Sequence, residues 1–128
     1  MNVRTLVLAG AVVLFAGAAF ADDPMANTYA NTVVTKDRGT GQSSTLLFNQ
    51  DMSYTGKTTG PNGPVTYSGT WSLRDGGKTI CLAPTVPAGT ANPPTPNCSP
   101  LVAHNVGDSW TVTNDQNQSF DVSITAGR

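Results

Sequence analysis

The chain has 128 residues, seven Lys or Arg against eight acids for a formal net charge of −1, two cysteines and one histidine. Without a basic cluster, nucleic acid and anionic membrane surfaces are excluded as favoured partners, and two cysteines with a lone histidine match no metal-ligand spacing and imply no cofactor. All eight acids are Asp, which suits turns and disfavours helix interiors.

The opening MNVRTLVLAGAVVLFAGAAFA carries Arg4, an apolar run from Leu6 to Phe20, and Ala19-Phe20-Ala21 before Asp22. This predicts a signal peptide over residues 1–21 and a periplasmic or secreted location. No later segment is long and apolar enough to span a bilayer, so no stable membrane anchor is expected. Residues 22–128 are then predicted to form a single domain. In an oxidising compartment Cys81 and Cys98 are expected to form a disulfide.

Beyond the leader, alternation with period two replaces helical periodicity. "TYANTVVT" (28–35) reads as a strand ending at "KDRGTGQ", and "STLLFN" (44–49) leads through Asp51 into "MSYTGKTT". After "GPNGP" (60–64), "VTYSGTWSL" places Val65, Tyr67, Gly69, Trp71 and Leu73 on one face and hydroxyls on the other. "RDGG" (74–77) is a hairpin turn, and "KTICLA" returns from it. Past a Pro-rich loop come strands at "LVAHN", "WTVT" and "SFDVSIT", with turns at "VGDS" and "NDQNQ". The prediction is an all-β fold, a small antiparallel meander barrel or sandwich of about eight short strands with one disulfide. A barrel of about eight strands is just wide enough to be filled by its own side chains or to hold one small ligand. Large residues such as Phe48, Tyr54, Trp71, Trp110 and Phe120 predict a filled interior.

Phe48-x-x-Asp51-x-x-Tyr54, then Gly69-Thr70-Trp71 and Asp75-Gly76-Gly77, resembles the signature of small lipocalin-like antiparallel β-barrel domains in exported bacterial proteins. Met52 stands where that pattern has Gly, which predicts a wider turn after Phe48. The continuation "TICLAP … CSPL … VGDSWTVTNDQ … VSITAGR" is similar to a group of small exported proteins of Gram-negative bacteria without an assigned activity. "SGTWSL" followed by a cysteine also resembles the opening of small periplasmic inhibitors of secreted metalloproteases. That resemblance implies an N-terminal segment, here Asp22 to Asn27, acting as a plug in the protease cleft.

Candidate chemistry is sparse. His104 is the sole histidine, so a hydrolase would centre on it with Asp108 and Ser109; the competing reading is a β-turn over Val106 to Ser109. Asp51, Asp75, Asp108 and Asp115 fall in turns and Asp121 on a polar strand face, which does not converge two carboxylates. Trp71 and Trp110 read as core. The stretch from Ile80 to Pro100 holds six of the nine prolines. Pro84, Pro87, Pro93, Pro94 and Pro96 make this loop a candidate surface for a protein partner in the cell envelope, beside its plainer role as a stapled connection. No catalytic set emerges, and the sequence reads as a non-enzymatic binding or interaction module.

Overall fold

The computed structural model describes residues 23–128; the predicted signal peptide lies outside them. Eight strands follow one another: β1 (Thr32–Asp37), β2 (Ser43–Phe48), β3 (Ser53–Gly60), β4 (Gly63–Arg74), β5 (Thr79–Pro84), β6 (Asn97–Pro100), β7 (Ser109–Thr113) and β8 (Ser119–Thr125). They form one sheet in the order β6-β5-β4-β3-β2-β1-β8-β7. Chain neighbours pair antiparallel from β1 to β6, and β8 returns to the free side of β1 with Val33 opposite Ile124. The result is a nearly closed meander barrel with one seam, between β6 and β7. No helix among the described residues is long and apolar enough to cross a membrane.

Alternation dictates the wall. On β4, Tyr67, Gly69, Trp71 and Leu73 point inward while Thr66, Ser68, Thr70 and Ser72 are exposed. Val33, Leu46, Phe48, Tyr54, Trp71, Val122 and Ile124 form the buried core. The indole N–H of Trp71 donates to the Asn49 carbonyl at 3.0 Å, which satisfies its one polar atom.

The seam is joined at one place. The backbone N–H of Asp115 donates to the Cys98 carbonyl at 2.9 Å, and the Cys98 N–H donates to Asp115 Oδ1 at 3.0 Å. An antiparallel ladder would next use the residue two further on, but Pro100 has no N–H to offer. β6 ends there, and the chain leaves the seam as a loop.

Several expectations are corrected. The strand at "LVAHN" is a loop; β6 lies earlier, at Asn97–Pro100, because Cys98 is held opposite Cys81 in the β5–β6 register. Residues 24–31 are turns, so the first strand begins at Thr32 and not at Thr28. The turn after Phe48 is not widened by Met52. Met52 itself adopts φ +72°, the left-handed conformation a glycine would supply, and the turn closes with Asn49 N–H donating to the Ser53 carbonyl at 2.9 Å.

Candidate functional site

The barrel interior is not filled: it holds a cavity of about 280 Å³. The reason lies in two inward glycines on adjacent strands. Gly56 faces Tyr67 and Gly69 faces Tyr54 across the β3–β4 pair, and each tyrosine ring lies over its glycine. A Cβ on Gly69 would come within 2.8 Å of the Tyr54 ring, and one on Gly56 would collide with the ring of Tyr67. Rings laid against the wall leave the axis open. Counting large inward residues misses this, although the sequence pattern puts Gly69 on the inward face of its strand.

The lining is apolar and uncharged. Val33, Leu46, Phe48, Ile80, Leu82, Val112, Phe120, Val122 and Ile124 supply most of it, and among the described residues no Asp, Lys or Arg contributes. Polar lining comes from Thr28, Thr35, Ser44, Tyr54, Tyr67, Asn97, Ser99 and His104. The wall on β1 to β3 is buried at Val33, Leu46, Phe48 and Tyr54, whereas Ile80, Leu82, Ser99, Trp110 and Val112 near the seam are only half-buried. The cavity is least enclosed at the seam and at Val102, which is 67 % exposed while lining it.

One end is closed by the N-terminal segment. Met25 is 1 % exposed, inside the core. Asn27 Nδ2 donates to the His104 carbonyl at 2.8 Å, joining this segment to the loop that follows β6. The C-terminal guanidinium of Arg128 donates to the Tyr29 carbonyl at 2.7 Å and to Asn49 Oδ1 at 2.9 Å. The residues of the expected protease plug that are described, Asp23 to Asn27, therefore close this chain's own barrel; Asp22 lies outside the described residues.

His104 lines the cavity with its imidazole stacked on the Trp110 indole, ring centroids 3.5 Å apart and planes 7° from parallel. Its Nδ1 stands 3.6 Å from Asp108 Oδ2, too far for a hydrogen bond. That carboxylate oxygen instead accepts from the Asn105 N–H at 2.8 Å, and Asp108 N–H donates to the Asn105 carbonyl at 3.0 Å. The turn thus spans Asn105–Asp108, one residue before its expected place, with Gly107 at φ +95°. Among the described residues no hydrogen bond joins His104 to Ser109, so the elements of a triad are near in sequence without being aligned.

The other carboxylates serve local structure. Asp51 accepts from the Ser53 N–H and hydroxyl, and the Ser53 hydroxyl, before its N–H, holds the Asp51 carboxyl below its usual range. Asp75 accepts from Thr79 Oγ1, Asp115 holds Cys98, and Asp121 pairs with Arg38 and Thr111. Among the described residues no group of His, Cys or Asp is placed to hold a metal ion.

Cys81 and Cys98 form the disulfide between directly opposed residues of β5 and β6. Their strand neighbours Ile80, Leu82, Asn97 and Ser99 line the cavity, which puts the bridge on the outer face. Of the five prolines singled out, Pro84 is the last residue of β5 and lines the cavity mouth. Pro87, Pro93, Pro94 and Pro96 are exposed in the connection between β5 and β6. No protein-family model, curated protein or solved structure matches this chain.

Proposed function

We propose that this chain is an exported, non-enzymatic binding module that carries one small, uncharged and largely apolar molecule inside its barrel. The observation that supports this reading is the apolar cavity of about 280 Å³ with no Asp, Lys or Arg on its wall among the described residues. Ligand sites are typically apolar hollows with a few placed polar groups. A dry cavity of ~150 Å³ accommodates benzene, so this volume suits a ligand of roughly ten to twelve non-hydrogen atoms by the same ratio. The disulfide supports a location outside the reducing cytoplasm. The lack of alignment among His104, Asp108 and Ser109 favours binding over turnover.

Butylbenzene, which has the right size and no polar atom, tests the reading. Titrated into the purified protein, it should shift the methyl resonances of Leu46, Val122 and Ile124 and raise Tm. Unmoved methyl signals and an unchanged Tm at the solubility limit, both with butylbenzene and with its ketone analogue butyrophenone, would overturn the proposal.

A further inference from the structure

Tyr54 is 2 % exposed and lines the cavity, yet its hydroxyl makes no hydrogen bond with any described residue. The other buried polar side chains are matched: Thr28 Oγ1 donates to the Met25 carbonyl at 2.7 Å, and Asn114 is bonded through both its amide nitrogen and oxygen. A buried hydroxyl left without a partner is costly, and its position on the cavity wall gives it one direction in which a partner can come. Tyr67 adjoins it edge-to-face, ring centroids 6.4 Å apart, and its hydroxyl is likewise without a partner among the described residues. Burial raises the Tyr54 pKa, with Tyr67 adding to the effect. The phenol therefore stays protonated and available as a donor.

We infer that the ligand carries a neutral hydrogen-bond acceptor, a carbonyl or ether oxygen, that receives the Tyr54 hydroxyl, while its hydrocarbon part packs against Leu46, Phe48, Val122 and Ile124. The inference deepens the binding reading above and rests on it. A carboxylate is disfavoured, because among the described residues no Lys or Arg lines the cavity to offset the loss of its hydration. A pure hydrocarbon fits the walls but leaves the hydroxyl unanswered.

Three probes of one shape separate these cases: butyrophenone, butylbenzene and 4-phenylbutyrate, each titrated by NMR against the wild-type protein and Tyr54→Phe. Wild type should bind butyrophenone about five- to tenfold more tightly than butylbenzene, the worth of one net hydrogen bond, and 4-phenylbutyrate most weakly. Tyr54→Phe should abolish the ketone's advantage and leave butylbenzene within about twofold, since only the hydroxyl is removed. The carbonyl stretch of bound butyrophenone gives a second readout that needs no variant; it should move to lower frequency in wild type than in an apolar solvent. Equal affinity for ketone and hydrocarbon, an advantage that survives Tyr54→Phe, or an unshifted carbonyl stretch would overturn this inference while leaving the binding reading intact. Failure of both neutral probes to bind wild type would sink the two together.

Discussion

Tyr54 lies across Gly69 of the neighbouring strand, and the space a side chain would occupy at Gly69 is bounded on one side by that ring and on the other by the Ala83 carbonyl. Backbone on one side and a buried ring on the other leave no soft direction. Gly69→Ala should therefore lower stability by about 2–3 kcal/mol, measured by urea denaturation. At Gly56→Ala the nearest obstacle is the half-buried Tyr67 ring, which can swing inward. Its cost should be nearer ~1 kcal/mol, with the ring now in the cavity and butylbenzene binding weakened. Equal destabilisation by the two substitutions would contradict this account of the open axis.

The Cys81–Cys98 bridge closes a loop with a sequence separation of 17. In the chain-entropy description that restricts the unfolded state by the equivalent of ~3 kcal/mol. Reduction, or replacement of both cysteines by Ala, should lower Tm on the order of 15 °C for a domain of this size. An unchanged Tm would show that the β5–β6 register holds without the bond.

Met52 is a half-exposed residue held at φ +72°. An L side chain in this conformation costs roughly 1–2 kcal/mol, partly offset by the greater entropy glycine loses on folding. Met52→Gly should stabilise the fold by about 0.5–1 kcal/mol, seen as a higher urea midpoint at unchanged slope. Destabilisation would mean that the Met52 side chain contributes packing this reasoning omits.

Alkaline titration offers a separate check. Burial, reinforced by the hydrogen bond to Asp23, pushes the Tyr29 pKa from its ordinary 10.0 up to about 12. A folded-state pKa above the unfolded one means the native protein holds the proton more tightly. Its contribution to stability is complete below about pH 10 and is lost as the pH climbs towards about 12. Phenolate absorbance should show late-titrating tyrosines, and Tyr29→Phe should flatten the fall in stability over that window. A tyrosine titration complete by pH 11 would rule this out.

The strands with strong side-chain signals were legible. "SFDVSIT" is β8 as read, and the alternation through Trp71 gives the faces of β4 correctly as far as the rim. Val65 continues the inward register but is 49 % exposed, because the β3–β4 hairpin extends past the barrel end. β6 escaped notice because Asn97, Cys98, Ser99 and Pro100 carry almost no strand preference; pairing with β5 and the disulfide create that strand. The apolar Leu101 and Val102 made the next few residues look like a strand, yet they serve the cavity mouth. Residues 28–31 run on into β1 in the sequence pattern, but the segment turns to seat Met25. The open interior does not follow from the number of large residues: whether a ring fills a barrel depends on what stands opposite it, and glycine opposite lets it lie flat. The His104–Trp110 stack depends on the turn at Asn105–Asp108 bringing the rings together.

The unfinished seam bears on whether a second chain could add a strand to this one. An incompletely closed barrel presents two strand edges, and a bare edge invites a second chain to add its own strand and start an aggregate. Here β6 is four residues long, its one N–H engaged across the seam belongs to Cys98 and is held by the Asp115 side chain, and proline ends it. On the β6 side that leaves a short, blunted edge for an added strand. Asp115, a turn residue by its sequence, thus occupies the Cys98 N–H that a strand added at β6 would use, as well as helping to close the seam.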